Sequence, residues 1–359
     1  MIARGAVAVL AALAAGAGTP AAVRVGDFTI EADGISELTF AATALRFGMK
    51  ADPNKPPKGV ESHAGEKVSW QVHVPRGYRA DKSFGLMVWV SPTGGGAVSH
   101  GWRGVLARRR LAWIGANRSG NPVWTLRRHA LAVQAVDEML ARGYDPDPNR
   151  IYVGGMSGGG RIASHVALIH ADRFTGGFYI VGCNYFRNIM LGDRKYWPGY
   201  WPRPDRKLLA RARKEGRYVL MTGPTDFNRD QTIKVADAYK KDGFRYATYM
   251  EVPGMGHAYP PAEWFDKGIA ALDEPIPQIV AARKPRTRPR PGPSPSPRTR
   301  PASRPAEEPA KSRLQLARAY LANGLKDKAR QTLAKLVADY PKTPQAAEAK
   351  QLLAELAEP

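Results

Sequence analysis

Between Arg150 and Arg161 the chain reads RIYVGGMSGGGR, in which Gly155-Met156-Ser157-Gly158-Gly159 spells G-x-S-x-G. A β-branched and aromatic run enters this stretch and an amphipathic pattern leaves it, which predicts the serine at a sharp strand-to-helix turn. Glycines flank it because a Cβ there would collide with neighbouring elements. Such a turn lifts the Ser157 hydroxyl to the sheet edge, at a helix N-terminus whose N–H groups and positive dipole suit developing negative charge. The plain alternative is a Gly-rich turn.

A serine of this kind needs a base and a group to orient it, here in the chain order Ser, acid, His. Asp226 lies in the turn GPTDFN, just past a predicted strand from Arg217 to Met221. His257 ends PGMGH, just past a predicted strand from Ala247 to Val252. Of seven histidines it alone follows a predicted strand in a Gly-rich loop after both serine and acid; the alternative is a surface histidine. Asp230 is the nearest rival acid, but opening the next helix suits it to an N-cap. The oxyanion hole is expected from the backbone N–H of Gly158 plus one from Ser91-Pro92-Thr93-Gly94-Gly95-Gly96, where consecutive glycines permit close approach. Thr93, Gly94 and Gly95 remain equal candidates, and a flexible turn is the other reading.

The elements that would position these groups alternate between strand and helix. Strands are predicted at Lys67 to Val74, Gly85 to Val90, Leu111 to Gly115, Arg150 to Gly154, Phe178 to Val181, Arg217 to Met221 and Ala247 to Val252. Helices are predicted at Trp124 to Arg142, Gly159 to His170, Asp230 to Asp242 and Ala262 to Leu272. This alternation predicts an α/β fold, a mostly parallel sheet with helices on both faces, whose catalytic groups gather outside the carboxyl ends of the strands. Residues 23 to 60 carry no clear period, and an irregular or antiparallel start is expected there.

The elbow YVGGMSGGGR, the loop SPTGGG, the acid turn GPTDFN and the segment GMGH together resemble the α/β-hydrolase superfamily. More narrowly they are similar to its exported polyhydroxybutyrate-depolymerase-like and feruloyl-esterase-like branch, over roughly residues 67 to 275. The resemblance implies an esterase acting through Ser157, Asp226 and His257 without cofactor or metal. One departure is that the oxyanion loop lacks the His-Gly start of many relatives, which leaves its donor open. Relatives often insert a lid where this chain has Tyr196-Trp197-Pro198-Gly199-Tyr200-Trp201-Pro202. There Trp197, Tyr200 and Trp201 are expected to stack on an aryl or sugar group of the substrate; ordinary packing of a Pro-rich loop is the alternative.

The expected domains are a signal peptide over residues 1–22, a hydrolase domain over 23–282, a Pro/Arg-rich linker over 283–310 and an all-α tail over 311–359. Met1 to Arg4 form a basic start, Gly5 to Ala14 an apolar run too short to span a bilayer, and Ala15-Gly16-Ala17 a small-x-small site. Cleavage after Ala17 or Ala22 would export the protein to the periplasm or beyond, and an uncleaved anchor is the other reading. Nine prolines and eight basic residues crowd residues 283–309 with almost nothing apolar, so that segment is expected to be an extended spacer. Its arginines suit an anionic envelope surface. In the tail Leu316, Ala317, Tyr320, Gly324, Ala329, Leu333 and Pro341 fall at tetratricopeptide-repeat spacings, with a third helix from Pro344 to Leu356. Such arrays usually need about three units, so the tail is expected to dock on the hydrolase body, a second copy or another protein.

Lys plus Arg exceed Asp plus Glu by 22, but the excess is spread along the chain, and no stripe interleaved with aromatics suggests specific nucleic-acid binding. Hydrophobic residues at 43% and charged ones at 24% describe a globular protein, and one cysteine, Cys183, excludes a disulfide scaffold. The partners that the resemblance implies are small or polymeric esters. A peptidase on the same fold, and an inert scaffold for the tail, are the competing classes.

Overall fold

The computed structural model describes residues 23–47, 66–79, 83–192, 195–199, 201, 203–283, 310, 314, 317, 321 and 326–356. The expected signal peptide, nearly all of the linker, and Tyr200 lie outside the described residues. The chain divides into two units, Met1–Pro285 and Arg286–Pro359.

In the first unit the strands are β1 (Gly26–Ala32), β2 (Val68–Val74), β3 (Phe84–Val90), β4 (Leu111–Ala116), β5 (Pro146–Met156), β6 (Gly176–Ile180), β7 (Ile189–Gly192), β8 (Lys195–Trp197), β9 (Arg217–Thr222) and β10 (Tyr246–Glu251). Its helices are α1 (Glu37–Arg46), α2 (Arg103–Arg108), α3 (Thr125–Ala141), α4 (Gly158–Ile169), α5 (Arg206–Glu215), α6 (Arg229–Lys241), α7 (Ala262–Asp273) and α8 (Ile276–Arg283). Eight strands form one sheet in the order β1-β2-β4-β3-β5-β6-β9-β10, in which only β2 runs against its neighbours. A small antiparallel hairpin of β7 and β8 stands apart from it.

The central strands are apolar without interruption because both faces are covered. Along β3 every residue is buried: Phe84, Leu86, Val88 and Val90 pack on the side of α3, α4, α5 and α6, while Met87 and Trp89 pack on the side of α2 and α7. β9 splits the same way, with Tyr218 and Leu220 on one side and Val219 and Met221 on the other. This is the two-faced α/β architecture expected from the sequence.

The expected strands and helices lie within a few residues of those observed. Of the irregular or antiparallel start expected over residues 23 to 60, the antiparallel form is found: β1 pairs antiparallel with β2 from Gly26 opposite Val74 to Ala32 opposite Val68, and α1, which was not expected, follows. α2, α5, α8 and the hairpin were not anticipated. α2 spans only six residues, and α5 buries only Leu209 and Ala212, so its apolar stripe is too sparse to read.

In the second unit α9 (Lys326–Asp339) and α10 (Pro344–Glu355) are separated at the predicted Pro341 break. Thr343 caps α10, its Oγ1 accepting from the Ala346 N–H at 3.3 Å. Leu314, Ala317, Leu333, Leu336, Ala346 and Ala349 form that unit's own core, with Leu352, Leu353 and Leu356 only partly covered.

A polar seam crosses the interior between α3 and α4. The His129 Nε2 lies 3.3 Å from His165 Nδ1, and the Asn184 amide approaches His165 Nε2 at 3.0 Å. Burial, reinforced by nearby positive groups including Arg128, holds both imidazoles well below the ordinary histidine range, and burial lowers His170 to about 3. All three are therefore neutral in the folded protein. Below about pH 6.5 the unfolded chain takes up protons that the folded chain refuses, so stability falls as the pH drops, by about 1.4 kcal/mol per unit for each histidine. Urea unfolding from pH 8 to pH 5 is expected to show this decline; a flat profile would mean that the imidazoles protonate in place.

Candidate active site

Ser157 stands where β5 ends and α4 begins, with φ 54° and ψ −122°, a left-handed backbone that costs a residue with a Cβ. The turn is held from below: the Ser157 N–H donates to the Ile180 carbonyl at 2.8 Å, and its own carbonyl accepts from Arg161 N–H at 3.0 Å. A Cβ on Gly159 would overlap the Val90 carbonyl, so this glycine is what lets β3 and α4 approach. Val181, also at positive φ (46°), lies just past β6 and is fully buried beside the turn.

The Ser157 hydroxyl lies 2.8 Å from His257 Nε2, and His257 Nδ1 lies 2.7 Å from Asp226 Oδ1. The Asp226 side chain has no exposed surface, whereas the imidazole keeps 22% of its own. A buried carboxylate must be hydrogen-bonded. Its Oδ2 accepts from Thr222 Oγ1 at 2.6 Å, and Oδ1 also accepts from the Asn228 N–H at 3.1 Å. The acid turn and the histidine loop touch backbone to backbone, since a Cβ on Gly223 would overlap the Met255 carbonyl. On the far side the Trp102 indole donates to the Pro260 carbonyl at 3.2 Å and stacks on Phe265 at 3.9 Å, anchoring the loop that carries His257.

The structure thus brings Ser157, His257 and Asp226 together, each past the carboxyl end of its strand. Asp230 is elsewhere: it is 91% exposed in the first turn of α6 beside Arg229, and the cap position expected of it belongs to Asn228. Of the oxyanion candidates, Gly158 opens α4, so its N–H has no carbonyl one turn back to bond. The Thr93 N–H donates to Ser91 Oγ at 3.1 Å, while Gly94 and Gly95 are exposed. The lid aromatics divide. Trp197 is half-buried, its indole donating to Asn184 Oδ1 at 2.9 Å and its ring faced by the Arg161 guanidinium at 4.4 Å. Trp201 is 4% exposed and packs on His165 at 3.7 Å, so it is a core residue that offers no surface to a ligand, contrary to expectation.

Several residues of the site carried no sequence signal strong enough to single them out. Asn228 bonds Asp226 and also donates to the Val181 carbonyl at 2.8 Å. Arg161, one turn past Ser157, donates to both Asn184 Oδ1 and Asn228 Oδ1 at 2.9 Å. Asn121 places its carboxamide against the Cα of Gly158, where a Cβ would overlap it. Phe227 stacks on the His257 ring. Only the G-x-S-x-G spacing and the position of Asn228 two residues after the acid hinted at any of these. Cys183 is fully buried, its thiol pushed up to about 12 by burial, which leaves it unreactive.

Chemically, the serine proton has a path to Nε2, the resulting imidazolium faces a buried carboxylate, and the Gly158 N–H at the start of α4 is free to meet negative charge developing on an attacked carbonyl oxygen. This is an arrangement for nucleophilic attack on an electrophilic carbonyl. Among the described residues no group of three or more His, Cys, Asp or Glu side chains is placed to hold a metal, and no helix is long and apolar enough to cross a membrane.

A tetratricopeptide-repeat family model matches residues 306–356. No curated protein sequence matches the chain. Among solved structures the chain is similar to the esterase Est1E from Butyrivibrio proteoclasticus, at 15% identity and a TM-score of 0.41, over 60% of this chain and 96% of that one. It is also similar to an esterase from Rhizomucor miehei, at 18% identity and a TM-score of 0.46, over 61% and 81% of the two chains. Likeness to the acylaminoacyl peptidase of Pyrococcus horikoshii, at 17% identity and a TM-score of 0.43, covers 59% of this chain and 40% of that one.

The two carboxylates are separable by substitution. Asp226→Asn is expected to slow modification of Ser157 by a fluorophosphonate roughly ten-thousand-fold with the fold intact, because the imidazole loses the anion that fixes its tautomer. Asp230→Asn, fully in solvent, is expected to leave that rate unchanged. The reverse ranking would reassign the acid.

Proposed function

We propose that the chain is an exported serine hydrolase of carboxylic esters, acting through Ser157, His257 and Asp226 and an acyl-enzyme. The observation that carries this reading is the unbroken line of short hydrogen bonds from Ser157 Oγ through the His257 imidazole to the fully buried Asp226 carboxylate.

In this reading Ser157 Oγ attacks the ester carbonyl while its proton passes to His257 Nε2. The carbonyl oxygen becomes an oxyanion, met by the Gly158 N–H and by a second donor from the loop after β3. Collapse of the tetrahedral intermediate breaks the bond to the alcohol, which leaves with the proton from Nε2. A water then gives its proton to Nε2 and attacks the acyl carbon, and a second collapse frees the acid and returns the proton to Ser157. Asp226 stays ionised throughout, holding Nδ1–H and balancing the imidazolium. Export rests on the first 22 residues, and a fluorescent fusion followed by fractionation tests it.

A fluorophosphonate probe is expected to label the protein at Ser157. Ser157→Ala is expected to abolish labelling and to lower turnover of a small ester by as much as about a million-fold, the order found where a triad serine is lost. Labelling that persists in this variant would remove the assignment, and peptides that outcompete esters in the wild type would move it to a peptidase.

The second unit is proposed to bind a protein partner or a second copy, with the basic linker able to lie on an anionic envelope surface. Arg283 donates to Glu215 Oε2 at 2.7 Å and to Asn149 Oδ1 at 2.7 Å, so α8 belongs with the first unit. A chain ending at Pro285 is therefore expected to keep its turnover of a small ester within about two-fold while losing association, measured by light scattering and envelope retention. Loss of turnover in that folded chain would tie the tail to the active site.

A further inference from the structure

We propose that Phe227 is a positioning residue for the His257 imidazole. Its ring holds the plane of the base and stabilises the imidazolium that forms when the serine proton moves. The inference rests on the reading of His257 as the general base.

Three observations converge on it. The two rings lie face to face, centroids 4.0 Å apart with 24° between their planes. Phe227 is nevertheless 78% exposed, so little of its surface is removed from water. Its backbone is pinned on both sides: Asp226 before it bonds the imidazole and Thr222, and Asn228 after it bonds Asp226, the Val181 carbonyl and Arg161. An isolated exposed hydrophobe needs no explanation by itself. A ring in face-to-face overlap with the imidazole does, because an exposed side chain has several rotamers open to it and this one covers the base.

The geometry shows what the contact supplies. The two hydrogen bonds of His257, at Nδ1 and Nε2, fix where the ring points within its own plane. They resist tilting poorly, because rotation about the line joining the two nitrogens leaves both distances nearly unchanged. A slab against one face resists that rotation. The aromatic face also carries negative quadrupole, so it attracts the imidazolium more than the neutral imidazole. The attraction grows as the proton arrives at Nε2, which makes it stronger in the transition state than in the ground state and places its effect in kcat.

The test compares Phe227→Leu, Phe227→Ala, Phe227→Tyr and Phe227→Trp in the full chain, with p-nitrophenyl acetate as substrate and the rate of fluorophosphonate inactivation as a second readout. Because the side chain is mostly in solvent, all four are expected to melt within a few degrees of the wild type. Leu and Ala are expected to lower kcat and the inactivation rate together by about three- to ten-fold with KM little changed, and Tyr and Trp to restore both, since cation–π attraction grows as water is excluded. Leu keeps the apolar cover and loses the aromatic face. Equality of Leu with the wild type in both rates would therefore overturn the proposal, as would a change confined to KM, which would make Phe227 a substrate contact. Ser157→Ala run alongside separates the failures. If it is inert while the Leu and Ala variants match the wild type, this inference alone is wrong. If it turns over ester normally, the triad reading and this inference are overturned together.

Discussion

A carboxylate with no exposed surface is the constraint around which this site is arranged. Burying an unpaired charge costs far more than a domain can offset, so Asp226 must find every one of its donors within the protein. It finds them in Thr222 at the end of β9, in the N–H of Asn228 at the start of α6, and in His257 on the loop after β10. Three separate elements are thereby drawn to one point. The histidine cannot be displaced without leaving a buried charge short of a partner, and its orientation toward Ser157 follows.

Behind these residues a second polar layer ties the helices to the site. Arg161 on α4 reaches Asn228 and Asn184, Asn184 reaches His165 and Trp197, and His165 reaches His129 on α3. Interior polar chains of this kind are stabilising only when nearly every member is satisfied, and they then rigidify what they connect. Here they connect the turn that strains Ser157 to the turn that carries Asp226. The strain at Ser157, and the matching left-handed backbone at Val181, persist because packing around them leaves no alternative.

The sheet supplies the platform. Strands buried on both faces cannot slide by one residue without exchanging the side chains that meet α3 and α4 for those that meet α2 and α7. With register fixed in this way, the loops after β3, β5, β9 and β10 emerge at one edge at defined heights. The carboxyl ends of adjacent parallel strands become a line of neighbouring loops, and His257 comes within hydrogen-bonding reach both of Ser157, 100 positions away in sequence, and of Asp226, 31 positions away.

What could be read from the amino-acid order was whatever depends on local spacing. The G-x-S-x-G turn needs glycines for steric reasons that hold wherever such a turn occurs. Strands buried on both faces appear as apolar runs, and α3 and α4 as periodic ones. The break at Pro341 follows because proline has no N–H to continue a helix. Tertiary structure decided everything that rests on approach between distant segments. Trp201, one of several aromatics in a Pro-rich stretch, became core because α4 brings His165 beneath it; Trp197 was turned inward by Asn184 and Arg161. α1 and α5 escaped notice because their apolar stripes are narrow and gain meaning only from the surfaces they cover. Asn228, Asn121 and Phe227 owe their places to contacts with Asp226, Gly158 and His257, and a side chain's type records what it can bond with but not which partner the fold will bring to it.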